Sequence, residues 1–331
     1  MRRKKKKKFL KRLIIALCII TLLNLSIRIS RRGTVSISIP EGTNSIEIAE
    51  ILKDNGLITS KSYFFGRLYF SPYRGKLRYG TFKIDRNAFL GTILKTLSKG
   101  GAQKQTVSVT IPEGFSVEMI EDRLVETGLC TKAEFEAALK AKYEYDFLKS
   151  VPQSKDIKYR LQGFLYPNTY EFYSDATAET VVDTMLSEFE KQTKDLGIQK
   201  DRLFEIITKA SMIEREARLD NERARIAGVF ENRLKKDMRL QIDATVAYAV
   251  SNGRYNVNRI LKRDLKTVSK YNTYLHKGLP IGPICSPSIK SILAAQNPEK
   301  HEYLYYHTDN TKKDGSHIFS KSYAEHASTI K

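Results

Sequence analysis

Two carboxyls, Glu214 and Glu216, close the most strongly periodic segment of the chain, Asp201 to Arg218. At about 100° per residue on a helix, Leu203, Ile206, Ile207, Ala210, Ile213 and Ala217 share one arc, while Glu205, Thr208, Lys209 and Glu216 project opposite. Asp201 is the expected N-cap. Glu214 falls near the middle of the apolar arc. A carboxylate there is either paired, with Arg218, Arg225 and Arg233 as candidates, or lines a cleft in which desolvation raises its pKa. A raised pKa keeps a proton available near neutral pH, which a general acid needs in order to protonate a glycosidic oxygen. Periodicity therefore marks Glu214 as the candidate acid and Glu216, on the polar face, as the weaker one.

Downstream stand three loop-like motifs rich in directional polar groups: Leu240-Gln-Ile-Asp-Ala-Thr-Val246, Tyr271-Asn-Thr-Tyr274 and Gly278-Leu-Pro-Ile-Gly-Pro-Ile284. Amides, hydroxyls and tyrosines suit sugars, whose edges need hydrogen bonds and whose faces stack on rings. The candidate substrate-binding residues are Gln241, Asp243, Thr245, Asn272, Thr273 and Tyr274. The chain has no Trp, so Tyr and Phe must supply any stacking. His276, His301, His307, His317 and His326 show no metal-site spacing and read as satisfied or exposed histidines; neither a Gly-x-Ser-x-Gly elbow nor a phosphate-cradling glycine loop occurs. No metal and no cofactor is expected. Cys18 stands in an apolar run, and Cys130 and Cys285 form no Cys-x-x-Cys pattern, leaving a bridge between them possible but unsupported.

The elements that must carry these residues are punctuated by a repeat. Residues 35–58 align without a gap on 107–130, with ten identities, including Val35-Ser-Ile-Ser-Ile-Pro-Glu-Gly42 against Val107-Ser-Val-Thr-Ile-Pro-Glu-Gly114. Each copy alternates like a strand, turns at Pro-Glu-Gly, then shows helical spacing before a glycine stop. Such a unit is either a duplicated structural module or a glycan-binding module resembling LysM. The segment Gln153-Ser-Lys-Asp-Ile-Lys158 is polar and ends the repeat logic, which places a boundary near residue 150.

The charge of +20 over 331 residues is unevenly spread: residues 1–32 hold twelve lysines and arginines and no acid, leaving +8 on the other 299. That asymmetry weighs against nucleic acid as the partner. Fifteen uncharged residues, Leu13 to Ile27, follow the basic cluster, short of the roughly 20 that span a bilayer unless Phe9, Leu10 and Ile29 contribute and the flanking cations snorkel. The pattern predicts a single-pass anchor with the N-terminus in the cytoplasm and residues 33–331 outside it. The rival, a cleaved signal peptide, lacks a small-residue cleavage site.

The run Ala210-Ser-Met-Ile-Glu-Arg-Glu-Ala217, taken in order with Val229-Phe-Glu-Asn-Arg-Leu234, the Leu240 and Tyr271 motifs, Gly278-Leu-Pro280 and Tyr303-Leu-Tyr305 through Gly315-Ser-His-Ile-Phe319, resembles the YceG-like (MltG) endolytic murein transglycosylases. The resemblance implies an α+β fold with a single N-terminal transmembrane helix, small repeated strand-turn-helix, LysM-like modules and a mixed, largely helical lysozyme-like catalytic domain. The corresponding segments are a basic tail (1–12), an anchor (13–29), a first module (33–105), a second, LysM-like module (106–150) and a catalytic domain (151–331). It further implies lytic cleavage of the bond between N-acetylmuramic acid and N-acetylglucosamine in nascent glycan strands, leaving 1,6-anhydro ends. Glu214 would act as acid and then base. The implied location is the cytoplasmic membrane, with the catalytic domain outside, and the partners are peptidoglycan strands, the membrane and candidate peptidoglycan synthases. Three positions depart from the family pattern: Gln162 and Asn168 stand where acids are usual, and Ala244 where Pro is. The alternative from another class is a non-catalytic membrane-anchored wall-binding or division scaffold, in which Glu214 is a structural ion pair.

Overall fold

The computed structural model describes residues 33–100 and 106–330, which fall into two compact units divided after Gln105. In the first unit, β1 (Thr34–Ile39) pairs antiparallel with β2 (Gly80–Asp85), setting Ile37 against Phe82 and Ile39 against Gly80. Strand alternation sends Ile37, Ile39, Phe82 and Ile84 inward and Ser36 and Ser38 outward. Between the strands run α1 (Ser45–Asp54) and α2 (Lys61–Tyr69), and α3 (Leu90–Lys99) follows. Asn44 and Glu47 close a capping box on α1, and Ser60 caps α2. Their inner faces deliver Ile48, Leu52, Phe64, Ile93 and Leu97 to a separate core, each fully buried side chain contributing about 1.5–3 kcal/mol.

The second copy of the repeat begins the other unit. Here β3 (Thr106–Thr110) pairs antiparallel with β4 (Thr169–Tyr173), setting Val109 against Tyr170. Between them stand α4 (Val117–Glu126), capped by Ser116, and α5 (Lys132–Ala138), which a Thr131–Glu134 capping box begins. The partner strand of β3 thus lies beyond residue 150, and residues 106–330 share one core. α6 (Ala178–Thr193), α7 (Leu203–Glu216), α8 (Arg223–Lys235), α9 (Asp243–Val250) and α10 (Ile289–Gln296) complete the helical part. The chain closes with the hairpin β5 (Tyr305–Thr308) and β6 (His317–Ser320) and the short α11 (Tyr323–Thr329).

The expected fold class needs correction. The described residues form an α+β protein in which no helix is long and apolar enough to cross a membrane. The longest described helix, α6, has 16 residues and carries Glu179, Asp183, Glu188, Glu190 and Lys191, whereas a span needs about 20 predominantly apolar positions. The 13–29 segment, read from sequence as the anchor, lies outside the described residues. Asp201 also departs from expectation: a 3₁₀ turn, Lys200–Arg202, leads into α7, and no side chain caps it.

Close backbone approach seats α7. Gly163 has φ +88°, and a Cβ there would lie 2.7 Å from Pro283 Cβ and 2.8 Å from Ile207 Cγ2 on α7. Gly278, with φ +79°, has nothing within 4 Å. Gly163→Ala is expected to cost about 2–4 kcal/mol through overpacking plus left-handed strain, and Gly278→Ala only about 1–2 kcal/mol. Urea unfolding followed by circular dichroism separates the two, and equal midpoints would contradict this packing account.

Candidate active site

Helix α7 is buried nearly all round. Its apolar arc is inside, as the wheel requires, but Thr208 and Lys209, assigned by the wheel to the polar side, are 1% and 4% exposed. Lys209 tolerates this because Glu205 (2.6 Å) and Glu231 both pair with it. With the polar side of the helix largely covered and only Glu205 and Arg215 reaching solvent, periodicity does not tell Glu214 from Glu216, and their environments follow from their neighbours.

Glu214 faces the 284–288 segment. Ile284 N–H donates to Ser211 Oγ (3.0 Å), Cys285 Sγ–H to Ser211 O (3.2 Å), and both the N–H (2.9 Å) and hydroxyl of Ser288 to Glu214 Oε2. Ser288 is the N-cap of α10, so the carboxylate sits at the positive end of that helix. Arg223 Nη1 lies 3.3 Å from Glu214 Oε1, with both side chains under 9% exposed, and also donates to Ser291 Oγ at 2.7 Å. The second Pro-Glu-Gly turn closes the remaining side: Gly114 N–H donates to Ser286 O (2.8 Å), and a Cβ on Gly114 would lie 3.8 Å from Glu214 Cγ. The partner of Glu214 is thus Arg223. Of the arginines considered from sequence, Arg225 pairs with Glu299 and Arg233 binds carbonyls. Both oxygens of Glu214 are engaged.

Glu216, the last residue of α7, opens instead on a cavity of about 300 Å³ lined with it by Gln241, Asp243, Tyr274, Tyr306 and His317, among others. Burial pushes the Glu216 carboxyl pKa up and the nearby Asp243 charge adds to this; hydrogen bonds from Tyr306 and the Ala244 backbone act against it. The Tyr306 hydroxyl donates to Glu216 Oε2 at 2.9 Å. Tyr274 donates to Asp243 Oδ1 at 2.6 Å, and burial raises the Tyr274 pKa. Arg233, 9% exposed, ties the walls together by donating to Leu304 O (2.6 Å), Leu240 O (2.7 Å) and Arg239 O (3.2 Å).

Of the residues expected to bind substrate, Gln241, Asp243 and Tyr274 line this cavity with Glu216. Thr245, Asn272 and Thr273 lie beneath it, each at most 1% exposed. Thr273 Oγ1 accepts from Ile242 N–H (2.9 Å) and meets Thr245 Oγ1 (2.9 Å), while Asn272 donates to Leu265 O and Thr267 O and accepts from Tyr274 N–H. These three shape the loop that holds Gln241 at φ +53°. Sequence reasoning considered Arg233 only as a partner for Glu214 and His317 only as a satisfied or exposed histidine, and it missed Tyr306 and the Glu222 that holds His317; the closing motif around Tyr305 and His317 was the available signal. Gln162 and Asn168 lie elsewhere: Gln162 Oε1 accepts from Val117 N–H at the start of α4 (3.0 Å), and Asn168 Nδ2 reaches Glu188 at 3.4 Å. Cys130 and Cys285 are free and buried, and no group of three or more potential metal ligands occurs among the described residues. A larger hollow of about 760 Å³ runs between residues 136–143 and 148–161, but its one lining carboxylate, Glu136, is a partner of Lys132 at 3.8 Å.

Residues 37–331 match the model of the YceG-like family. The chain is 33% identical over 310 residues to the endolytic murein transglycosylase of Bacillus subtilis, covering 89% of this chain and 83% of that one. It is 30% identical over 326 residues to the endolytic murein transglycosylase of Streptococcus pneumoniae, of whose length it spans 57%. A crystal structure of a yceG-like protein from Listeria monocytogenes, 32% identical, superposes with a TM-score of 0.58 over 90% of this chain and 99% of that one.

The two carboxyls have opposite stability consequences. Arg223→Met strands the buried Glu214 charge and is expected to cost about 3–5 kcal/mol in chemical unfolding. Burial raises the folded pKa of Glu216 above the ordinary carboxyl range, so the folded state holds this proton more tightly than the unfolded state. Its contribution to stability therefore falls as pH rises from about 4.5 through the folded pKa. Glu216→Gln should melt above the parent chain at pH 8, with the gap closing near pH 4; a gap independent of pH would contradict the assignment.

Proposed function

The chain belongs to the YceG-like family, and from that membership and the chemistry around Glu216 we propose that it is a peptidoglycan lytic transglycosylase whose general acid is Glu216. The observation that carries the choice of residue is a carboxyl with raised proton affinity opening on a cavity lined by amide, hydroxyl and carboxyl side chains, whereas both oxygens of Glu214 are occupied. Ordinary glycosidases use two carboxylates, the second activating water or attacking the sugar. A lytic transglycosylase needs no such second group, because the C6 hydroxyl of the N-acetylmuramic acid residue is the nucleophile.

In this mechanism Glu216 gives its proton to the oxygen leaving toward N-acetylglucosamine as the C1–O4 bond breaks. The C6 oxygen then bonds to C1 as its proton passes to the Glu216 carboxylate, which leaves a 1,6-anhydro end and restores the acid. The Tyr306 hydroxyl, already donating to Oε2, steadies the carboxylate formed by proton transfer. Asp243, held by Tyr274, places negative charge where the sugar ring becomes cationic. Gln241 and Tyr274 offer the amide and hydroxyl that hydroxyl and acetamido groups require.

Digestion of purified peptidoglycan by the full chain, with mass spectrometry of the products, tests this reading. The parent chain should release 1,6-anhydro ends, and Glu216→Gln should lower their rate by about 10²-fold or more. Products without anhydro ends from the parent chain, or an undiminished rate in the variant, would overturn it.

A further inference from the structure

The first unit carries a surface for which the chemistry at Glu216 has no use. Residues 55–84 hold six lysines and arginines (Lys61, Arg67, Arg74, Lys76, Arg78 and Lys83) and no acid. Lys61, at the start of α2, pairs with Glu50 of α1. Arg67 lies six residues further on, about 9 Å along the helix at 1.5 Å per residue. Arg67, Arg74 and Lys76 are exposed, and among the described residues no carboxylate pairs with them.

Aromatic rings project from the same end of the helix. Phe70, the C-cap of α2, is 88% exposed, and Tyr63 and Tyr69 are each more than half exposed. Tyr63, Arg67 and Phe70 are spaced i, i+4 and i+7, so they form one stripe, turned away from the face that buries Phe64 and Leu68. The Tyr69 ring meets the Phe70 ring edge-on at 5.1 Å, and the Arg74 guanidinium lies over the Tyr69 ring at 4.2 Å, which keeps a cation beside the ring pair. A ring as exposed as Phe70 protrudes, with no facing wall to close on a sugar. A protruding apolar ring flanked by guanidinium groups fits the boundary of an anionic bilayer, where the ring leaves water and the cations stay at the level of the headgroups. We propose that the C-terminal end of α2 docks on an anionic phospholipid surface, with Phe70 and Tyr69 entering the headgroup boundary and Arg67 and Arg74 meeting the lipid phosphates. This contact belongs to the first unit alone, needs no membrane-spanning segment and is independent of the chemistry at Glu216.

The chain has no Trp, so Phe70→Trp gives the full chain a sole indole fluorophore at the docking position. With phosphatidylglycerol vesicles its emission should move to the blue and be quenched by lipid brominated on the acyl chains, and phosphatidylcholine vesicles should do neither. Because the probe reports position 70, lipid contacts made elsewhere in the chain do not enter the reading. Each arginine near an anionic surface favours it about fivefold, so adding Arg67→Gln and Arg74→Gln should move the inserted-to-free equilibrium of the probe about 25-fold toward water. Emission that stays at its water-exposed position with phosphatidylglycerol overturns the proposal, as does equal quenching in both lipids or quenching that survives the loss of both arginines. A blue shift with purified peptidoglycan and none with vesicles makes the surface a glycan contact and overturns it as well. Circular dichroism checks that each variant folds, and if Phe70→Trp does not, Tyr63→Trp on the same stripe decides by the same outcomes.

Discussion

The buried pair of Glu214 and Arg223 is the constraint on which the rest of the catalytic unit depends. Three separate segments meet at one carboxylate: α7 supplies it, α8 supplies the guanidinium, and the N-cap of α10 supplies an N–H and a hydroxyl. Such a charge is tolerable inside a protein only when each oxygen has a partner. Because all the partners are present, α7 is clamped in rotation and in depth, and the 284–288 segment is fastened along it through Ser211. The Pro-Glu-Gly turn of the second repeat then closes over Glu214.

Rotation of α7 is what the cavity requires. Residues two apart on a helix point to roughly opposite sides, so fixing Glu214 on its clamp aims Glu216 the other way. The helix ends there: Ala217 is extended, at ψ 122°, which leaves Glu216 at the rim. The walls around it come from α8, the Leu240 loop, the Tyr274 loop and the β5–β6 hairpin. Arg233 links several of them by donating to carbonyls on either side of the opening. One carboxyl is thereby matched with a cation, while its neighbour has no ion-pair partner among the described residues and burial raises its proton affinity.

Much of this was legible in the chain. The repeat showed itself by identical residues at a constant offset, and the loops bearing Gln241, Asp243 and Tyr274 showed themselves by their density of directional polar groups. The different surroundings of the two glutamates were not legible, because a helical wheel assumes an open polar face and most of that side of α7 is covered. Lys209 illustrates the failure, since a lysine counted as surface is paired inside with Glu205 and Glu231. The pairing of Glu214 with Arg223 and the Glu222–His317 contact join residues that no local rule connects.

Two copies of Pro-Glu-Gly mark the division between chain and tertiary structure most clearly. The sequence by itself determined that both would be turns, since Gly42 and Gly114 adopt the same left-handed φ, +80° and +79°. Only the tertiary structure decided what each turn touches: nothing lies within 4 Å of a Cβ on Gly42, whereas Gly114 meets Arg215 and Glu214. Local propensity is a property of a few consecutive residues and is inherited by every copy. Burial, pairing and proton affinity depend on neighbours brought from 70 to 100 residues away, as Ser288 is to Glu214 and His317 is to Glu222. The chain alone placed two carboxyls at the end of a helix, and the packing paired one with Arg223 and turned the other toward a cavity.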